Sequence, residues 1–367
     1  MKYLWIWFSN CYTLFENHMC VNWCEEINMT ILMLIKTKSM EKKKFMSFAK
    51  NYLNIKILVN AFFAAIIACL FKNVYLHSRL TTTIFVLSTS FVISLFDSYL
   101  IFRRIKRIRL LEISSAEYLL KYIKNSIIML GLFFAATQLK YIFKDMNDVI
   151  FVLILTFSFW IYQYFLPYII KMINDVDNKE LQSIKLDLNG VCKCQKKFSL
   201  YCYEGKKIKN ANAFVTGTNL NRSIFISNYL IENISKDETI AILCHEYGHI
   251  KNNDIEKKVI FKSTALVLFY LLTCIMDMLQ MGIIDGISLL LIFCLLCLFL
   301  YKRMEHKQEF RADKYAVSVM GDNQILIAAL KTLYEINDMM KKNRKLFTIL
   351  SSHPQLQERI NALSLTN

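Results

Sequence analysis

The sequence predicts a mainly α-helical protein that crosses a lipid bilayer about six times and carries a polar domain with a small β-hairpin or sheet. Hydrophobic residues make up 55% of the 367 residues, and charged residues make up only 20%. The apolar residues form runs close to the ~20 residues that a spanning helix needs. This composition excludes a disordered, collagen-like or proline-rich chain and argues against an ordinary soluble enzyme.

Six apolar runs give the expected number of spans, four before a polar segment and two after it. They are residues 53–71, 82–102, 126–141, 149–170, 259–279 and 283–301. The chain is therefore expected to divide into a basic N-terminal extension (1–52), a four-span region (53–172), the first half of a polar domain (173–258), a transmembrane hairpin (259–301) and the second half of that domain (302–367).

The charge distribution predicts the orientation. The formal net charge is +16, and the basic residues that flank the apolar runs are concentrated on alternate loops, whereas the loops between them carry few. Positive-inside bias then places both termini and the polar domain in the cytoplasm, with the spans in the inner cell membrane. Basic clusters beside apolar runs favour the bilayer surface over nucleic acid as a partner. Eleven cysteines without framework spacing agree with a reducing compartment, and a metal knuckle at Cys192, Cys194 and Cys202 is a weak pattern.

The polar domain begins with short alternating segments that predict strands at 197–203, 207–216 and 223–227. The turn-rich GTNLNR before the last of these predicts a hairpin over 213–227. A helix follows, because Ser235 and Glu238 have the S-x-x-E spacing of a capping box.

That helix carries the motif HEYGH, with His245, Glu246 and His249. Histidines four residues apart lie above one another on a helix, so two imidazoles can converge on one ion. Glu246 directly follows His245 in the chain. Its carboxylate can contact a metal-bound water, whose pKa zinc lowers toward ~7. Asp254, five residues beyond His249, is interpreted as a solvated helix-end group and left outside the site.

A catalytic zinc site needs a third protein ligand. After the sixth apolar run, Glu309 and Asp313 lie four residues apart and share a helix face. Glu309 could bind zinc while Asp313 orients a ligand histidine. Spacing alone leaves Glu305 and His306 open as alternative ligands.

Four motifs occur in one order: NANAFVTG, HEYGH, EFRADKYA and SSHPQLQERI. Together they resemble the HtpX-type and CAAX-prenyl-protease-type membrane zinc endopeptidases, over roughly residues 188–360. The resemblance implies one zinc ion per chain, bound by His245, His249 and Glu309, with Glu246 as the base and Asp313 behind a ligand. It also accommodates a transmembrane hairpin between HEYGH and EFRAD.

The resemblance further implies that Asn212, Ala213 and Phe214 lie against the substrate, and that His353 and Arg359 lie near the active site as candidates for supporting the oxyanion. The chain departs from the family pattern in two ways. Four spans precede the catalytic segment, and Gln355 replaces the second proline after His353. These departures concern the choice of substrate more than the chemistry.

The sequence thus predicts a zinc metalloendopeptidase that acts on a polypeptide at the cytoplasmic face, with the substrate bound as an extended strand. It specifies neither a cleavage sequence nor an oligomeric state. One alternative is a BlaR/MecR-type signalling protease, although the external loops are too short for a sensor domain. The other is a non-enzymatic membrane protein with a structural metal, which the complete set of water-activating residues argues against.

Overall fold

The computed structural model describes residues 91–92, 95–96, 98–100, 102–103, 106, 112–124, 126, 147–174, 176–177, 181–337 and 353–365. The N-terminal extension, the first predicted span and nearly all of the third lie outside these residues. The chain divides into two compact units, one comprising Val21–Met146 and the other comprising Met1–Cys20 with Asn147–Asn367. In the first unit, Tyr118 stacks on Phe102 at 3.8 Å between ring centroids and shares a 2.8 Å hydrogen bond with Ser98.

The second unit is mainly helical with one small sheet. Its helices are α1 (Asp148–Ile173), α2 (Gln182–Cys192), α3 (Asn228–Asn233), α4 (Lys236–Lys251), α5 (Asp254–Met278), α6 (Ile283–Met320), α7 (Asn323–Ile336) and α8 (Leu356–Ser364). Its strands are β1 (Ser199–Tyr203), β2 (Ala213–Thr216) and β3 (Ser223–Ser227).

The sheet has the order β1-β3-β2, with β1 parallel and β2 antiparallel to β3. The β2–β3 pair is the predicted hairpin, in a register that runs from Ala213 opposite Ile226 to Thr216 opposite Ser223. The strand expected at 207–216 is wrong in its first half. Lys206–Ile208 form a 3-10 turn, which ends at Lys209 in the left-handed conformation with φ 52°. This turn lets the chain reverse between the parallel strand β1 and the edge strand β2.

The core lies between the sheet and α4. The inward side chains of the sheet, Leu200, Ile224 and Ile226, are fully buried. They belong to one cluster with α4, which also packs against α6 and α7. The expected capping box is present, since Glu238 N–H donates to Ser235 Oγ at 3.3 Å and Ser235 N–H donates to Glu238 Oε2 at 3.0 Å. The central helix is thus enclosed on several sides, which fixes the side chains it carries.

Two of the described helices, α1 and α5, are long and apolar enough to cross a membrane. They coincide within a few residues with the predicted spans 149–170 and 259–279. The predicted span 283–301 is the first part of α6, which continues without a break to Met320. The expected boundary at 302 between hairpin and polar domain therefore lies inside one helix. This helix is continuous from the apolar hairpin into the polar domain.

Candidate metal centre

The centre of the site is α4, whose residues His245 and Glu246 are buried. α4 approaches α6 closely at Gly248, where an added Cβ would lie 3.1 Å from Ala312 Cα and 3.2 Å from Tyr315 Cδ1. A larger residue would hold the two helices apart. The small size of this residue therefore allows Glu309 on α6 to reach the two histidines of α4.

His245, His249 and Glu309 form one group whose candidate ligand atoms all lie within 4.8 Å of one another. The two Nε2 atoms are 3.2 Å apart, and each is 3.5 Å from an oxygen of Glu309. The buried Glu309 Oε2 also lies 2.8 Å from Nδ1 of His353. The three side chains expected as ligands are thus brought together around one point.

His245 is oriented by a chain of charged groups behind it. Its Nδ1 lies 2.8 Å from Asp313 Oδ1. Arg359 in turn holds both oxygens of Asp313, with Nε at 2.8 Å from Oδ2 and Nη2 at 2.5 Å from Oδ1. Asp313 is 1% exposed and Arg359 is 5% exposed. The paired carboxylate and guanidinium fix the imidazole ring with its Nε2 toward the centre of the site.

His249 has an equivalent support that the sequence analysis missed. Its Nδ1 lies 2.9 Å from Asp254 Oδ2, and Arg311 Nη2 binds the other carboxylate oxygen. Asp254 is only 1% exposed, so its interpretation as a solvated helix-end group is wrong. The reason is local: Asn253 adopts a left-handed conformation with φ 54°, which turns the start of α5 back toward α4. The position of Asp254, a carboxylate five residues after His249, was the signal in the sequence that could have indicated this support.

This arrangement fits a metal ion. Each Nδ1 faces a carboxylate and donates its proton there, so in the neutral rings both Nε2 atoms present lone pairs. Two lone pairs facing each other at 3.2 Å repel unless a proton or a metal cation lies between them. Two nitrogens bound to one tetrahedral zinc lie roughly 3.3 Å apart, and two imidazoles with one carboxylate form a known catalytic zinc ligand set. The residues present therefore suit zinc.

Charges within the site shift its titrating groups. Burial alone lowers the pKa of His245, but Asp313 and Glu309 outweigh it and raise that pKa to about 9. Burial raises the pKa of Glu309, yet His353 and the two ligand histidines outweigh it and leave the pKa well below its usual range. Burial also raises the pKa of Glu246, against the opposing effect of His245 and His249. Glu309 is thus an anionic donor, and Glu246 is a stronger base than an exposed carboxylate.

The structure separates the alternative third ligands. Glu305 lies one turn before Glu309 on α6, where its carboxylate is bound by Lys302 at 2.9 Å and by Lys258 at 3.4 Å. Among the described residues, the group able to hold a metal contains Glu309 and neither Glu305 nor His306. Among the described residues, the three cysteines of the weak knuckle do not form a group able to hold a metal, and Cys192 Sγ lies 2.9 Å from Cys244 Sγ.

The remaining predicted site residues occupy different positions. His353 precedes α8, is half exposed, and places Nδ1 2.8 Å from Glu309 Oε2. Asn212 directly precedes β2 and pairs with the end of β3, because its backbone oxygen accepts a hydrogen bond from Ser227 N–H at 2.9 Å. Ala213 faces the core with α4. The ring of Phe214 lies on the opposite face of the sheet, where it stacks on Phe225 at 5.5 Å.

Comparisons with known proteins agree with this geometry. Residues 176–367 match the model of peptidase family M48. The chain is similar to a protein named protease HtpX homolog from Chlorobium phaeobacteroides, with 30% identity over 180 residues, or 41% of this chain and 59% of that protein. It is also similar to protease HtpX from Mannheimia succiniciproducens, with 31% identity over 179 residues, or 42% and 63%. The chain thus spans about three fifths of the length of these curated relatives.

A solved structure also resembles this chain in fold. The crystal structure of Ste24p from S. mikatae superposes with a TM-score of 0.66 at 21% identity and covers 94% of this chain and 96% of that one. At 21% identity, this match shows a shared fold only.

Proposed function

This chain belongs to peptidase family M48, and from that premise we infer that it is a membrane-embedded zinc metalloendopeptidase that hydrolyses peptide bonds of membrane or cytoplasmic proteins. The observation that carries the proposal is the pair of Nε2 atoms of His245 and His249, 3.2 Å apart with an oxygen of Glu309 3.5 Å from each. Three ligands leave a fourth tetrahedral position for water and substrate. One zinc ion per chain is expected.

Zinc held by these ligands would polarise the scissile carbonyl and lower the pKa of water toward ~7. Glu246 is the general base in this proposal: a carboxylate oxygen accepts the proton of the attacking water. The protonated carboxyl group then passes the proton to the nitrogen of the leaving amine, which completes hydrolysis without net consumption of protons. Burial raises the pKa of Glu246, which makes its carboxylate a stronger base for the first step.

Other residues position these groups or face the substrate. Asp313 and Asp254 hold the two histidines with their protonated Nδ1 turned outward. Arg359 is buried behind His245 and acts in this proposal through Asp313, although its Nη1 also lies 3.8 Å from Glu309 Oε2. His353 is half exposed beside Glu309, so its side chain can face the negative charge that develops on the carbonyl oxygen.

We propose that the substrate adds to the sheet as an extended strand. Among the described residues β2 is an edge strand, since the order is β1-β3-β2. Ser227 N–H on β3 donates to the backbone oxygen of Asn212, and antiparallel pairs alternate between bonded and non-bonded positions. The backbone groups of Ala213 and Val215 therefore point away from β3, where they can pair with a peptide. Main-chain pairing of this kind tolerates many side chains.

We further propose that the chain spans the inner cell membrane six times, with both termini and the active site on the cytoplasmic side. The apolar helices α1 and α5 support this placement, as do the basic residues that flank the apolar runs on alternate loops. The bilayer is then a partner of the hairpin, and substrates would be membrane proteins or cytoplasmic proteins that reach its surface.

The test of this function is a comparison of Glu246→Gln with wild type in detergent, on an unstructured test protein. We expect cleavage to fall by about 10²–10⁴-fold while zinc content stays at the wild-type level, because an amide cannot accept the proton of water. Glu335→Gln, an exposed change of the same chemistry on α7, is the matched control and should cleave normally. Unchanged cleavage by Glu246→Gln would rule out the proposed mechanism.

A further inference from the structure

The two helices of the hairpin change their surface character at the same level. On α5 the exposed side chains change from Lys257, 46% exposed, to Ile260, 52% exposed, and remain apolar at Leu268 and Leu271. On α6 the exposed Leu300 is followed by the exposed Arg303. The rings of Phe261 and Tyr301 are 5.4 Å apart, so these two transitions face each other. In a bilayer, this level corresponds to the headgroups.

Three lysines converge at this level near one carboxylate. Lys302 Nζ lies 2.9 Å from Glu305 Oε2, and Lys258 Nζ lies 3.4 Å from Glu305 Oε1. Lys262, one turn further along α5, places its Nζ 5.9 Å from the centre of the Tyr301 ring. Lys258, Lys262 and Lys302 are all partly exposed, whereas Glu305 is only 3% exposed. We call these three residues the lysine cluster.

Among the described residues, Lys258 and Lys302 together carry more positive charge than Glu305 balances, since two ammonium groups share its one carboxylate. The next carboxylates along the two helices are Glu256, Asp254 and Glu309. Glu256 is bound to Arg222 at 2.8 Å. Asp254 is bound to His249 and Arg311, and Glu309 faces both ligand histidines. An anion that reaches the cluster therefore meets a net positive potential on the membrane side of the metal centre.

We propose that the lysine cluster binds the phosphate of an anionic phospholipid, with Lys258, Lys262 and Lys302 as its donors. The position favours a lipid over other anions, because the exposed apolar stripe that begins at Ile260 and Leu300 offers a surface for the acyl chains directly beside the charges. Glu305 holds two of the ammonium groups in place. This inference rests on the proposed insertion of the hairpin into a membrane.

The test measures lipid retention, which does not depend on peptide hydrolysis. Full-length protein is purified from mixed vesicles of phosphatidylglycerol and phosphatidylcholine, and the bound lipid is identified by native mass spectrometry. We expect preferential retention of phosphatidylglycerol by the wild type and by Glu246→Gln. Lys262→Gln should weaken that retention about fivefold, and Lys258→Gln/Lys262→Gln should weaken it further. Lys307→Gln/Lys314→Gln removes the same charge from exposed positions on α6 and should have no effect.

Three outcomes would overturn the proposal. The first is equal retention by the cluster and control variants. The second is displacement of the bound lipid by inorganic phosphate alone at low concentration, which would identify a site for free phosphate. The third is a result in which the cluster variants retain lipid like the wild type but no longer distinguish test peptides with a free C-terminus from those with an amidated one. That result would assign the cluster to a peptide carboxylate. Absence of peptidase activity in the wild type would refute the proposed function and leave the lipid result standing.

Discussion

His249 Nδ1 lies 2.9 Å from Asp254 Oδ2, and this contact makes the supports of the two histidines proposed as ligands equivalent. His245 meets Asp313 in the same way at 2.8 Å. Arg311 binds the first aspartate and Arg359 binds the second. Each imidazole is thus held by a carboxylate that is itself held by a guanidinium. Because both supports end in buried or half-buried charge pairs, the ring orientations depend on residues from α5, α6 and α8.

This relationship predicts the effect of Asp254→Asn. The amide keeps the shape of the carboxylate but loses the charge that fixes the protonated Nδ1, so we expect zinc affinity to fall about 10–100-fold. Asp313→Asn should have a similar effect. Competition with a chelator, followed by metal analysis, measures both. Asp237→Asn, at an exposed position in the first turn of α4, should retain wild-type affinity. Equal affinity in Asp254→Asn and Asp237→Asn would contradict the assigned support.

A second prediction compares Glu309→Gln with Glu305→Gln. The two glutamates lie one turn apart on α6, and the geometry places only Glu309 beside the histidines. Glu309→Gln should lower bound zinc because it removes a charged ligand, whereas Glu305→Gln should retain it. Metal content of the purified proteins decides between them. Full occupancy in Glu309→Gln would mean that the third ligand is a different residue.

A third prediction concerns the contact of α4 with α6 at Gly248. Alanine is the better helix former by about 1 kcal/mol, but its Cβ would lie 3.1 Å from Ala312 Cα. Overpacking of that kind typically costs ~1–3 kcal/mol, so we expect Gly248→Ala to lower the melting temperature. Gly190 on α2 provides the control, because an added Cβ there meets nothing within 4 Å. Gly190→Ala should be neutral or stabilising in the same thermal unfolding experiment.

A fourth prediction tests the edge strand. If a peptide pairs with β2, successive peptide N–H groups point alternately toward and away from it. A single N-methyl group at a position that faces β2 should therefore raise KM about 3–10-fold, because it removes one hydrogen bond. A single N-methyl group at the positions between these should leave KM unchanged. Kinetics with a set of singly methylated peptides reveals the period. An effect without a period of two would argue against strand addition.

A fifth prediction concerns orientation. A reporter fused after Asn367 should behave as cytoplasmic, because the basic residues lie on the loops of that side. A reporter inserted at Met146, in a short loop with few basic residues, should behave as external. The reverse pattern would place the metal centre outside the cell and would contradict the proposed cytoplasmic action.

Local pattern was sufficient for several features of the molecule. HEYGH places two histidines on one helix face, and the capping box marks where that helix begins, since both depend on residues within one or two turns. The apolar runs of α1 and α5 follow from hydropathy alone. The hairpin of β2 and β3 follows from alternation and a turn-rich connection.

Other features required the tertiary structure, because they depend on pairs of residues far apart in the chain. Whether Glu309 or Glu305 faces the histidines depends on the register of α6 against α4, which the close approach at Gly248 fixes. From the sequence, Asp254 is interpreted as a solvated helix-end group. In the structure, the left-handed conformation of Asn253 turns the start of α5 back toward His249. Arg359 lies 46 residues beyond Asp313, and only the packing of α8 brings the two charges together. The sequence by itself thus indicated which side chains are candidates for the chemistry. Packing decided how they are held, because burial makes an unpaired charge costly and selects the arrangement in which each charge has a partner.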